Sequence, residues 1–119
     1  MRAIINLTIV ISLILLSSCV QKSYKRTVVF TVDVSHVKNV KKVGIRGAKP
    51  LNWDNDLELK KGKDSFYKAT VTFDTGYKFV ECKFTVNDDF ELQNQDNRRI
   101  DFNEKRDTTF YKATFNSLK

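Results

Sequence analysis

The sequence predicts an all-β fold, an immunoglobulin-like antiparallel β-sandwich of seven to eight strands that follows an N-terminal signal peptide. Three observations predict it. Apolar and polar residues alternate with a period of two in several short stretches, as strands with one buried face require. Gly, Asn, Asp and Ser punctuate the chain between those stretches. Beyond the apolar leader, no stretch shows a helical period. A five-stranded oligonucleotide-binding barrel is the competing all-β fold, but it usually spends a helix between strands, and none is readable here.

The elements follow in order. Thr27 to Val34 is a strand, with Val28, Phe30, Val32 and Val34 on one face. A loop through His36 leads to a second strand, Val40 to Arg46. The chain then breaks at Gly47, turns through Lys49-Pro50 and reaches Trp53, the only tryptophan. Leu57 to Leu59 is a short strand, and Lys60 to Ser65 is a polar turn around Gly62. Phe66 to Phe73 alternates again, placing Tyr67, Ala69, Val71 and Phe73 inward and Phe66 outward. After the turn Asp74-Thr75-Gly76, Lys78 to Val86 sends Val80, Cys82, Phe84 and Val86 inward. Its outward set is Phe79, Glu81, Lys83 and Thr85. Phe90 to Leu92 and Arg99 to Phe102 are brief strands on either side of a polar loop, and Phe110 to Phe115 closes the domain. Gly47 and Asn52 read as turn residues, since both tolerate positive φ.

The leader has Arg2 followed by a nearly unbroken apolar run from Ala3 to Leu16, the pattern of an export signal. The run is short for a spanning helix, which needs about 20 apolar residues. Leu16-Ser17-Ser18-Cys19 resembles the lipobox of bacterial lipoproteins, in which the cysteine is acylated and becomes the first mature residue. That resemblance implies a signal peptide over 1–18, a lipidated tether over 19–26 and one β-sandwich domain over 27–119. It also implies a cell-envelope location, lipid-anchored at Cys19. Val20 after Cys19, in place of Asp, resembles outer-membrane sorting in Gram-negative cells. A plain secretory signal or an anchor helix is the alternative.

The formal net charge of +7 is spread along the chain, and several lysines neighbour Asp or Glu. A solvated basic surface explains this better than a nucleic-acid site, and no nucleic-acid partner is expected. With Cys19 acylated, Cys82 is a lone thiol that is safe in an oxidising compartment only if buried. His36 is the sole histidine, so neither a metal site nor a cofactor is expected. The clusters Asp54/Asp56 and Asp88/Asp89/Glu91 lie in turns, where turn chemistry alone explains them. An enzyme is therefore not expected, and one would require carboxylates from both clusters to converge on a pocket.

Face parity makes Phe66 a candidate for exposure, as the place of Trp53 in a loop and of Phe90 after a polar turn does for those two. Trp53 is either a core plug or a platform. An uncovered Trp leaving roughly 100 Å² in water forgoes about 2.5 kcal/mol of burial. Aromatic faces flanked by Lys, Asn and Gln suit sugar rings, whose C–H faces stack while their hydroxyls take hydrogen bonds.

Four segments, VVFTVDVS, VGIRGAKPLNW, FVECKF and FELQNQDNR, resemble in order and spacing the starch- and glycogen-binding modules of carbohydrate-binding families 20 and 48. The resemblance covers Val28 to Phe115. It implies non-catalytic binding of α-glucan (starch, glycogen or maltooligosaccharide), with a glycan-degrading or uptake enzyme as a further partner. It also implies a carbohydrate site in which Trp53 and Phe90 stack on glucose rings while Lys83 and Asn97 hydrogen-bond hydroxyls. Phe90 stands where the family has a second tryptophan, and the loop before Asn97 is longer than the family's. The family's second site is not carried over, because Lys60 to Ser65 lacks its tyrosines. Arg98 reads as a structural partner for Glu91 or a loop carbonyl. A sandwich-fold protein-interaction or spacer module without sugar binding is the alternative.

Overall fold

The structure, a computed structural model, describes residues 22–119. The expected signal peptide, Cys19 and the first tether residues lie outside the described residues. Nine strands form among the described residues: β1 (Tyr24–Asp33), β2 (Val43–Gly47), β3 (Leu57–Glu58), β4 (Lys60–Lys61), β5 (Phe66–Thr75), β6 (Phe79–Val86), β7 (Asp89–Phe90), β8 (Arg98–Asp101) and β9 (Thr108–Thr114). They make two sheets. One has the order β4-β5-β1-β9; the other runs β3-β2-β6-β7, with β8 also paired to β6. All ladders are antiparallel except β1 with β9, which is parallel. The chain is thus an all-β sandwich.

The alternation read from the sequence builds the core. Val28, Phe30 and Val32 of β1 face Val43 and Ile45 of β2 and Val80, Cys82, Phe84 and Val86 of β6, and all are buried. Phe30 is the central contact. Its ring meets Phe73, Phe84 and Tyr111 edge-on, at centroid distances of 6.3, 6.2 and 6.1 Å. Burying such a ring contributes about 1.5–3 kcal/mol beyond leaving it exposed, and each edge contact adds to that.

Five local details differ from the sequence reading. β1 starts at Tyr24, inside the expected tether, because β5 continues to Thr75 and supplies ladder partners that far back. Val40 to Lys42 stays outside the second strand, because Asn87 takes those backbone donors: its Oδ1 accepts from Lys41 N at 2.8 Å and Lys42 N at 3.1 Å. Lys60 and Lys61, expected in a turn, pair with Lys68 and Tyr67 as β4. Leu92 is not in a strand. It turns with φ of 52° and is buried, its N–H donated to Asn116 Oδ1 at 2.8 Å. Gly47 does not adopt positive φ, and neither does Asn52. Gly47 is instead required by close approach, since a Cβ there would stand 2.5 Å from the Glu81 carbonyl oxygen. Asn52 shapes its loop through its side chain, whose Oδ1 accepts from Asp54 N at 2.7 Å.

Candidate functional site

The outward face of the five-stranded sheet is written by parity. β6 contributes Phe79, Glu81, Lys83 and Thr85. Asp101 and Arg99 of β8 stand opposite Phe79 and Glu81. Arg46 and Gly44 of β2 stand opposite Lys83 and Thr85, and Phe90 of β7 also pairs with Thr85.

The loop after β2 is fastened at both ends before it presents Trp53. At its start, Ala48 N donates to the Glu81 carbonyl at 3.2 Å, and Leu51 is buried as the plug. At its end, Asp56 folds onto the sheet. Its Oδ1 accepts from Arg46 Nε at 2.6 Å and from Thr85 Oγ1 at 2.9 Å, while its Oδ2 is buried without a partner. Only glycine at position 44 leaves room for it, since a Cβ would lie 2.4 Å from the Asp56 carboxyl carbon.

Trp53 is therefore not a core plug. It is 40% exposed and borders a cleft of about 350 Å³, together with Lys49, Asp74, Tyr77, Phe79 and Glu81. Tyr77 is 68% exposed, and its ring centroid lies 6.1 Å from that of Phe79. The Arg99 guanidinium sits 3.8 Å from the Phe79 ring centroid and donates to Asp101 at 3.0 Å. The cleft thus combines three aromatic rings with an ammonium and two carboxylates, a set able to stack on apolar ring faces and exchange hydrogen bonds with hydroxyls.

The predicted site residues are dispersed along this face. Lys83 is outward, but its ammonium donates to the carbonyls of Leu92 and Gln95, both at 3.1 Å, and so fastens the loop between β7 and β8. Phe90 lies under Arg46, whose guanidinium carbon is 4.9 Å from the ring centroid. Asn97 is half-buried in the loop before β8. None of these three lines the Trp53 cleft. At about 3.3 Å per residue, the Glu81 level where Trp53 sits and the Thr85 level where Phe90 pairs are roughly 13 Å apart along β6. Sequence reasoning left out Tyr77 and Phe79. Phe79 is visible in the outward parity of β6, whereas Tyr77 carries no signal beyond its place after a turn.

Carboxylates do gather near Phe90, but cations hold them. Arg46 lies between Asp56 and Asp88, with its Nη2 3.9 Å from Asp88 Oδ1. Lys42 pairs with Asp88 at 2.7 Å, which holds the Asp88 carboxyl below its ordinary range and raises the lysine. Among the described residues, no group of three His, Cys, Asp or Glu side chains is placed to hold a metal ion. Cys82 is buried, and that burial pushes its thiol well above the ordinary range, with the Glu91 charge adding to the effect.

No family model matches the chain, and no curated protein matches it either. Among solved structures, it is similar to a glycoside hydrolase family 15 glucoamylase from Hypocrea jecorina, at 20% identity and a TM-score of 0.59. The match covers 78% of this chain and 17% of the glucoamylase. At that identity the likeness concerns the fold.

Proposed function

We propose that this chain is a non-catalytic module that binds α-glucan along the outward face of the five-stranded sheet. Trp53 is the principal stacking platform, with Tyr77 and Phe79 beside it. Phe90 is a second platform further along β6, and Lys49, Glu81 and Asn97 serve as hydrogen-bonding groups. The single observation that carries this reading is the exposed Trp53 held on a loop fastened by Leu51 and Asp56, over a cleft walled by two further aromatic rings. A preformed platform spares the ordering cost that a mobile one would incur on binding. The similarity to a glucoamylase and the four sequence segments shared in pattern with starch-binding modules support the same ligand class.

Affinity for a short oligosaccharide is expected at about 0.1–1 mM, because a few stacking contacts and solvent-competed hydrogen bonds must offset association costs of at least about 4 kcal/mol. Attachment to a membrane through Cys19 and service to a glycan-degrading or uptake enzyme belong to the same proposal.

One observation favours a second reading, a protein-contact or spacer module of the cell envelope. The Lys83 ammonium already serves two carbonyls of its own chain. Retention on insoluble starch, wild type against Trp53→Ala, separates the two. The α-glucan reading predicts retention that the substitution abolishes. Equal retention of both proteins, or of neither, leaves the second reading standing.

A further inference from the structure

The outward face of the other sheet carries a row of lysines that form no salt bridge among the described residues. Lys60 of β4 stands opposite Lys68 of β5, Lys68 opposite Thr31 of β1, and Thr31 opposite Lys112 of β9. At about 4.8 Å between strands, this Lys-Lys-Thr-Lys row spans roughly 14 Å. Lys63, from the turn after β4, adds a fourth ammonium. Of these, Lys63, Lys68, Lys112 and Thr31 border, with Phe66 and Gly62, a notch of about 570 Å³, while Lys60 lies beside it. The Lys112 ammonium lies 4.8 Å from the Phe66 ring centroid.

No carboxylate lines the notch. Among the described residues, Lys60, Lys63, Lys68 and Lys112 form no ion pair. Asp33 lies one row away opposite Phe66, where its carboxylate accepts from Ser35 N at 2.8 Å and feels the Lys112 charge, and Glu58 borders a neighbouring cleft with Lys60 and Lys68. Like charges directly opposed across strands destabilise a sheet, yet Lys60 and Lys68 are so placed. A bound anion would remove that repulsion.

The same face continues toward the start of β1 as two further rows. Thr70, Val29 and Phe110 form the first, and Thr72, Thr27 and Thr108 the second. Phe110 is 77% exposed. Positive charge, one open ring and short hydroxyls in succession match a polymer that presents acidic groups, C–H ring faces and hydroxyls together. A bilayer surface would instead favour several protruding apolar side chains, whereas on this face Phe110 is exposed and Phe66 and Val29 are half-buried. We propose that this face binds an acidic polysaccharide. The lysine notch takes its sulfate, phosphate or carboxylate groups, and Phe110 stacks on an adjoining sugar ring. The Trp53 cleft sits at the other end of β5, beside Asp74 and Thr75, so this inference does not depend on the α-glucan reading.

The test uses the full chain in non-ionic detergent, with soluble heparin as the sulfated probe and neutral hydroxyethyl cellulose, a β-glucan, as the blank. Lys68→Ala/Lys112→Ala is compared with Lys38→Ala/Lys105→Ala, which removes the same charge outside the face. The first pair should weaken heparin binding by at least about tenfold, through loss of charge-assisted hydrogen bonds. The second should change it less than about twofold, and Phe110→Ala should weaken it with no change of charge. The proposal is overturned if wild type does not bind heparin, if both lysine pairs lose equally, or if the first pair affects only binding to bicelles of anionic phospholipid. Since all three positions face outward, thermal midpoints should stay near wild type. Retention on starch, measured in parallel, reports the Trp53 site separately.

Discussion

Arg98 and Glu91 form a two-pronged ion pair inside the sandwich, Nε to Oε2 and Nη2 to Oε1, both at 2.7 Å. Arg98 is 3% exposed and Glu91 is 1% exposed. The pair also organises its surroundings. Glu91 accepts from Phe84 N and Asn116 N, while Arg98 donates to the carbonyls of Thr114 and Ser117 and to Tyr111 Oη. Burial alone would lower the arginine's pKa, but the hydrogen bonds it donates to Glu91 and Tyr111 outweigh it and hold the guanidinium above its ordinary range.

Removing one member therefore leaves a buried charge with several orphaned partners. Arg98→Ala should cost about 3–5 kcal/mol in urea unfolding, and Glu91→Ala a similar amount. The double change Arg98→Met/Glu91→Leu should cost clearly less than the sum of the two. Additive losses would mean the two residues act independently.

Gly47→Ala should destabilise by about 1–3 kcal/mol, because the new methyl meets the backbone of Glu81. Gly44→Ala should act differently. Its methyl meets the side-chain ends of both Asp56 and Thr85, which would break the hydrogen bond between them and loosen the loop that presents Trp53. Its expected signature is weakened starch retention with a smaller stability loss than Gly47→Ala, read from parallel pull-down and thermal unfolding.

Cys82 gives a pH dependence of defined sign. Its folded-state pKa is raised above the ordinary value of 9.0, so its contribution is intact below that value and is lost as pH rises beyond it. At pH 10 the loss is about 1.4 kcal/mol, one pH unit's worth. Cys82→Ala should lower stability at pH 7 yet flatten the decline above pH 9. In a Cys19→Ser background, Ellman's reagent should leave the native thiol unreacted and titrate one thiol in urea. Prompt reaction of the native protein would show that Cys82 is accessible.

The strands were legible wherever one face meets the core. Val28-Phe30-Val32 and Val80-Cys82-Phe84-Val86 alternate because burial demands it, and parity then fixed Lys83, Phe79 and Phe66 as outward. The partnership of Arg98 with Glu91 was readable as one of two options, and both options occur together. Parity gives direction but not engagement, so it did not show that Lys83 is tied to the carbonyls of Leu92 and Gln95. Tyr77 joins Trp53 across a loop-to-turn contact that leaves no trace in spacing. Asn87 set the start of β2 from 45 or more residues away, beyond the reach of any local pattern. The parallel strand β9 depends on the same kind of long-range pairing.

Because Trp53 is the only tryptophan, intrinsic fluorescence reports the central claim without ambiguity. Titration with maltoheptaose should give a saturable change in indole emission with Kd of about 0.1–1 mM. An equal concentration of cellohexaose should give none. Unchanged emission up to about 10 mM maltoheptaose, a concentration that would nearly saturate such a site, would contradict the claim that Trp53 is an α-glucan platform.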